Sequence, residues 1–349
     1  MSHSCPWLKN TASGGPPSTR PDNSLVTDGE LLQRKWLRRS CIILMSMMII
    51  YAGATLWVGR GGWELALTTI SMRDILTIVS LVSIGFLLRA GRWHYYIRVL
   101  QWDVPLLHSL TAFGASIALT ATPAKSGELA KAVLLRSHYK ISLSQGVGVL
   151  LIERLGDLLA IIVLAIGGLT LFVDLSSYVV ASLIGFGVVV FLATMSRGVL
   201  LRTRAIPKLR TVSFKLINTL DAVQLLLRPL PLVIGGSTAL MAWSCEALAF
   251  HFLVDRLHIH SSLLISFSMY GLSILAGALS MLPGGLGGVE AMMAFLLTRL
   301  TTPTSVATVA VVIFRLCTLW LFSLIGTIFM FAWVIFLSKR QRAQEIEVS

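Results

Sequence analysis

Apolar runs, broken at short intervals by Gly, Pro or a group of cations, fill most of this chain between Cys41 and Leu337. A helix needs roughly 20 apolar residues to cross a hydrocarbon layer ~30 Å thick. Six runs meet that length and predict full spans: Cys41–Val58, Asp74–Ala90, Ser142–Phe172, Tyr178–Met195, Pro231–Val254 and Thr304–Leu337. Two more stretches, Pro105–Ala121 and Ser261–Leu282, end on a Pro/Gly break. The first break reads TPAKSGELAK (Thr122–Lys131) and the second LPGGLGGVEA (Leu282–Ala291). After each break comes a long apolar helix with an arginine inside it, Arg154 or Arg315. Pro123 and Arg154 stand 31 positions apart, and Pro283 and Arg315 stand 32 apart.

Counting both broken stretches as crossings gives eight spans, and the charges argue against it. Lys131, Arg136 and Lys140 follow the first break. A full crossing at Pro105–Ala121 would leave those cations outside or deep in the bilayer, against the cytoplasmic bias of Lys and Arg. A stretch that dips in and returns leaves them cytoplasmic. The second break is preceded by Asp255, His258 and His260 and followed by Thr298–Thr304 with no basic cluster, so it behaves the same way from the other side. The expected fold is an all-α integral membrane protein of six full spans plus two re-entrant helical hairpins. Their opposite insertion makes an inverted repeat, about 74–195 against 231–337.

Composition agrees with the class. The 349 residues are 55% hydrophobic and 13% charged, with mean hydropathy +0.80; soluble domains carry about 25% charged residues. One transmembrane domain, 41–337, uses nearly the whole chain and leaves no room for a soluble catalytic domain. A net charge of +13 would suit nucleic acid, but the cations cluster at span ends, where they orient the chain and meet anionic lipid. No nucleic-acid partner is expected. Residues 1–40, rich in Ser, Pro, Gly and Thr, predict a disordered cytoplasmic N-terminus. Arg34, Lys35, Arg38 and Arg39 hold the first span N-in. The basic segment 197–229 predicts an amphipathic helix on the cytoplasmic leaflet or a solvated linker, and 338–349 a cytoplasmic tail. The location is the cell (inner) membrane, multi-pass. Gly59–Gly62 reads as a short external loop, and Trp93, His94, Tyr95 and Tyr96 as an interfacial aromatic belt. Cys5, Cys41, Cys245 and Cys317 form no CxxC pair and read as small buried hydrophobes.

The candidate chemistry lies at the breaks and in the helices behind them. Glu153 and Asp157 share a helix face, and Arg154 is three residues from Asp157, within pairing reach. Ionisable groups at that depth cost roughly 2.5–3.5 kcal/mol each on insertion scales, so three together imply partners. Arg315 has no carboxylate within a turn of its own helix, so its partner is Glu290, Glu246 or a ligand. Arginine suits bidentate binding of phosphate or carboxylate; the alternative is a closed ion-pair network that locks helices together. At the first break Ser126 can cap a helix, with Glu128 in its first turn and Lys125 beside it. Gly284, Gly285 and Gly287 permit close backbone approach at the second. Either helix start offers N–H groups and a positive dipole end to an anion; the alternative for the glycines is helix packing through small residues. Glu246, mid-span, is a proton-titrating group or a buried partner for a cation, and Glu128 and Glu290 are further candidates for proton coupling. The glycine run is no P-loop, since no Gly-Lys-Ser/Thr follows. No metal site, cofactor or hydrolase arrangement is expected, and no enzyme activity.

Together TPAKSGELAKAVLL, the ERLGD of Glu153–Asp157, LPGGLGGVEA and the FRLCTLW of Phe314–Trp320 resemble the flippase-like membrane domain of bacterial lysylphosphatidylglycerol synthases and its stand-alone relatives, over about Leu31–Leu337. In the full-length synthases that membrane portion is associated with moving a lipid between leaflets, while a separate soluble domain aminoacylates it. The resemblance implies lipid movement here without aminoacyl transfer, because that soluble domain is lacking. It implies functional positions at Lys125, Glu128, Glu153, Arg154, Asp157, Glu290 and Arg315. The leading expectation is a lipid transporter or flippase that takes an anionic headgroup into a midplane cavity. The alternatives are a membrane enzyme transferring a glycosyl or phosphoryl group to a lipid-linked substrate, and a non-catalytic scaffold for a lipid-modifying enzyme partner.

Overall fold

A computed structural model of the chain describes Gly53 and residues 60–118, 128–139, 141–169, 210–280, 282–300 and 302–333. Lys125, Ser126, the span at 178–195, both chain ends and, Gly53 apart, the span at 41–58 lie outside the described residues. Every regular element among the described residues is a helix. In order they are α1 (Arg60–Thr69), α2 (Met72–Val99), α3 (Leu106–Ile117), α4 (Ala130–Tyr139), α5 (Leu143–Leu169), α6 (Arg210–Leu226), α7 (Pro229–Arg256), α8 (Leu263–Leu279), α9 (Gly288–Arg299) and α10 (Thr304–Arg315). Past Arg315, α10 passes through a π-helical turn (Leu316–Trp320), and the rod Thr304–Trp333 is 30 residues long.

Three helices are long and apolar enough to cross a membrane: Met72–Val99, Pro229–Arg256 and Thr304–Trp333. The first starts on a reciprocal cap. Ser71 Oγ accepts from the Asp74 N–H at 3.3 Å, and Asp74 Oδ2 accepts from the Ser71 N–H at 2.9 Å. It does not stop at Ala90, as the cations there suggested, but continues to Val99. The physical reason is that Arg92, Trp93 and Tyr96 are buried inside the protein. Trp93 and Tyr96 pack with Ile97, Trp102, Leu135 and Ile152 in a core of their own and form no interfacial belt.

Helices α2 and α7, each 28 residues long, lie side by side and antiparallel. Arg256 Nε is 3.0 Å from Asp74 Oδ1 at one end. In the middle a Cβ on Gly85 would sit 2.9 Å from the Ala242 carbonyl oxygen, and at the other end Gly235 lies beneath the Tyr96 ring. These contacts run in opposite order along the two helices. The missing side chain at Gly85 is what lets the backbones come this close.

Behind each of these helices comes the same series of elements. Two short, mutually packed helices follow α2, namely α3 and α4, and then α5 with Arg154; α8 and α9 follow α7, and then α10 with Arg315. The short helices have 12, 10, 17 and 12 residues. At 1.5 Å per residue none exceeds about 26 Å, short of a ~30 Å hydrocarbon layer. The break between α8 and α9 is a turn at Pro283–Gly285 with Gly284 and Gly285 at φ +63° and +68°, the left-handed region that favours glycine.

Two peripheral helices complete the arrangement. Arg60–Thr69 is helical, not a loop, because Trp63 and Ala66 pack into the larger core and only its first turn carries Gly61 and Gly62. Within 197–229 the described part forms α6, whose Ala222, Val223 and Leu226 are buried. That part packs on α5, where Thr219 Oγ1 donates to the Ser144 carbonyl at 2.8 Å, while Phe214 and Leu216 are exposed.

Candidate functional site

A cavity of about 480 Å³ opens where α2, α3, α4, α5, α7, α8, α9 and α10 meet the turn at Pro283–Gly285. Among the described residues six ion pairs surround it. Arg89 on α2 pairs with Glu246 on α7, whose other oxygen accepts from the Tyr270 hydroxyl on α8 at 2.5 Å. One turn further along α2, Arg92 Nη2 donates to Asp157 Oδ1 at 2.8 Å. The other Asp157 oxygen is 3.9 Å from Arg154. Arg154 in turn pairs with Glu128, in the short turn just before α4. Lys131 Nζ donates to Glu153 at 2.5 Å and lies 4.4 Å from the Trp93 ring centroid, a cation–π contact. Arg315 Nε donates to Glu290 Oε1 at 2.6 Å, and its Nη2 donates to the Gly284 carbonyl at 3.0 Å.

The charges balance. Among the described residues the network has five cations (Arg89, Arg92, Lys131, Arg154, Arg315) and five carboxylates (Glu128, Glu153, Asp157, Glu246, Glu290). An ion pair at 4 Å gains about 4 kcal/mol at an effective dielectric constant of 20. That is the same order as the cost of inserting one charge, so pairing is what makes so dense a cluster tolerable.

Hydrogen-bonding capacity does not balance. Arg89 Nη2, Arg92 Nε and Nη1, Arg154 Nε and Trp243 Nε1 are buried with no hydrogen-bond partner among the described residues. Each belongs to a residue that lines the cavity, and each is a donor. A buried donor left unpaired costs about 1–3 kcal/mol. Among the described residues the site is therefore electrically neutral yet starved of acceptors, and a ligand rich in oxygen lone pairs fits that deficit.

Most of the expected residues gather here. Glu128, Glu153, Arg154, Asp157, Glu246, Gly284, Gly285 and Arg315 line the cavity. Glu290 supports it from behind by holding Arg315. Gly287 stands apart from the lining, and its N–H donates to Glu290 Oε2 at 2.7 Å. The start of α9 thus already holds a carboxylate of its own chain. Sequence reasoning missed Arg89 and Arg92, which fall among the cations read as clustering at span ends, placed Lys131 in the cytoplasm, and missed Tyr270 and Trp243. The available signal was that Arg89 and Arg92 are three apart on one helix face at the end of an unbroken apolar run. Among the described residues no group of three or more His, Cys, Asp or Glu could hold a metal ion.

The comparisons with known proteins converge. The chain is 25% identical over 318 residues to a UPF0104 membrane protein of Methanothermobacter thermautotrophicus, covering 82% of this chain and 94% of that relative. It is 29% identical over 214 residues to a UPF0104 membrane protein of Methanocaldococcus jannaschii, covering 59% of this chain and 89% of that relative. Residues 43–326 match the family described as the lysylphosphatidylglycerol synthase TM region. An all-helical membrane fold, a charge-lined cavity and this match together place the chain in the lysylphosphatidylglycerol synthase transmembrane family.

Proposed function

We propose that the protein carries a lipid between leaflets and takes its phosphate-bearing headgroup into the charged cavity. The observation that carries this reading is the set of buried guanidinium N–H groups on Arg89, Arg92 and Arg154 that have no partner among the described residues. Phosphate oxygens supply the missing acceptors, and guanidinium geometry matches them bidentately. The tails stay in the hydrocarbon. In this reading α3–α4 and α8–α9 are re-entrant hairpins from opposite faces. Their shortness supports that, and the antiparallel α2 and α7 at the head of each half support an inverted repeat. Both termini are cytoplasmic, and the membrane is the cell membrane. Transport proceeds by exchange of ion-pair partners as one half rocks against the other. Asp157, within reach of both Arg92 and Arg154, suits such an exchange. With no nucleotide motif in the sequence, energy comes from a gradient or from none, and Glu128, Glu246 and Glu290 are the candidate proton carriers.

The scaffold reading has one observation in its favour: each cation already holds a carboxylate. Co-purified lipid separates the two. Mass spectrometry of lipid bound to the wild type should find one phosphate-bearing class enriched over the bulk membrane. An Arg92→Gln, Asp157→Asn double variant, which keeps the network neutral, should lose that enrichment at equal thermal stability. Reconstituted wild type should also exchange a labelled phospholipid between leaflets faster than the double variant. An identical, unenriched lipid shell in both proteins would assign the charges to structure and remove the transport reading.

A further inference from the structure

Among the described residues that line the charged cavity, three are exposed: Leu158 on α5, Ala278 on α8, and Leu282 just before the turn at Pro283–Gly285. These three mark where the cavity meets the outside, and all are apolar. Leu158 and Leu282 are 45% and 52% exposed. Leu151 on α5 and Leu279 on α8, both exposed, extend the apolar surface beyond the rim. Arg154 stands inside that strip. Leu151, Arg154 and Leu158 are three and four positions apart and share one face of α5. The Arg154 side chain is 34% exposed, while the other four cations around the cavity reach at most 12%. Its pair with Glu128 is therefore the most open one. Asp157, 3.9 Å from Arg154, links it to the buried Arg92.

We infer that the cavity is loaded sideways from the hydrocarbon, past Leu158, Ala278 and Leu282, and that Arg154 is the receiving cation, which exchanges Glu128 for the phosphate of a phospholipid. This rests on the transport reading above and adds the route of entry and the group that a lipid meets first. A water-soluble anion gains nothing by crossing an apolar rim. A phospholipid keeps its chains in the hydrocarbon there while its phosphate reaches Arg154, and a guanidinium suits phosphate bidentately. Because the Arg154–Glu128 pair is the most open, exchanging its partner disturbs no deeply buried charge. The path then runs inward through Asp157, so the buried pairs are met only after capture. Two changes separate the parts. Tryptophan at Ala278 narrows the rim and touches no charge. An Arg154→Gln, Glu128→Gln double variant removes the receiving pair, keeps the network neutral and leaves the rim as it is.

Nitroxide labels at Leu158→Cys and Leu282→Cys report which solvent reaches the rim, in full-length protein lacking its native cysteines and held in phosphatidylcholine vesicles. Dissolved oxygen, which concentrates in hydrocarbon, should relax both labels as strongly as one at the exposed Leu87 on α2. A water-soluble nickel chelate should relax them as weakly as it relaxes that control. Nickel relaxation at the level of Arg136→Cys would overturn sideways entry. Phosphatidylglycerol added to the vesicles should reduce the mobility of the Leu158→Cys label. The mole fraction needed should be about tenfold lower with Arg154 and Glu128 intact than in the double variant, a difference of about 1.4 kcal/mol. Equal mole fractions would overturn the role of Arg154. Glycerol 3-phosphate in the aqueous phase, which has the phosphate without the chains, should leave the label unchanged. A response equal to that of phosphatidylglycerol would make the ligand a soluble anion and overturn the route. Ala278→Trp should slow exchange of phosphatidylglycerol between leaflets at equal thermal stability, and unchanged exchange would put the entry elsewhere. The transport reading fails separately, if the wild type neither enriches a phosphate-bearing lipid nor speeds its exchange, whatever the labels at the rim show.

Discussion

Asp157 stands between two arginines and is their shared anion, 2.8 Å from one and 3.9 Å from the other. Burial sets how much such a contact matters. Arg92 and Asp157 have side chains only 3% and 9% exposed, against 34% and 17% for Arg154 and Glu128. Removing one partner of a buried pair costs about 3–5 kcal/mol, because an uncompensated charge stays behind. Asp157→Asn should therefore lower thermal stability by that amount in detergent or nanodiscs. Glu128→Gln, at the wetter pair, should cost under about 1 kcal/mol. Equal losses would mean that the two pairs share one environment, against the burial described. The same residues show why this part of the site was hard to read from sequence. A cation at the end of an apolar run looks alike whether it faces lipid headgroups or a buried carboxylate. The deciding partners are 65 positions away for Arg92 and 157 for Arg89, and no local pattern encodes that pairing. Arg154 and Arg315 were legible because they interrupt apolar runs from within.

Among the helices, the breaks matter more than the spans. Gly284 takes φ +63° and offers its carbonyl to Arg315, so one residue both makes the turn and positions the cation. Side chains disfavour that backbone region by roughly 1–2 kcal/mol. Gly284→Ala should destabilise by about that amount and loosen Arg315, which would show as weaker lipid enrichment than in Gly91→Ala, a change on an open helix face. The reverse ranking would separate the turn from the site. Pro and Gly announce such breaks in any sequence, so the turn at Pro283–Gly285 and the helices α5 and α10 were foreseeable; the turn expected at Pro123 lies outside the described residues. Helix α1 was not, because two glycines in its first turn mimic a loop while Trp63 and Ala66 do the packing. Immediately after Arg315, α10 winds into a π-helical turn, a feature frequent at functional sites.

For the molecule as a whole, the proposed topology makes three exposed positions diagnostic. Arg136 on α4, Arg228 before α7 and His260 after α7 are all exposed. Single cysteines at Arg136 and Arg228, in a background lacking the native cysteines, should react with an impermeant thiol reagent from the cytoplasmic side only, and one at His260 from the opposite side only. A cysteine at Arg136 that reacts from outside would turn α3 and α4 into a crossing and remove the first hairpin. Fold class was legible at this level because hydropathy reports the solvent directly. Segment 197–229 was only half legible, since an apolar helix face does not say whether lipid or α5 covers it.

The antiparallel seam of α2 and α7 has a consequence for direction. Two rods of 28 residues each meet head to tail. The carrier proposed above has, on that seam, no chemical drive of its own. Without an external drive it can only bring the leaflets to equilibrium, so net flow is dictated by whichever side makes the lipid and whichever side consumes it.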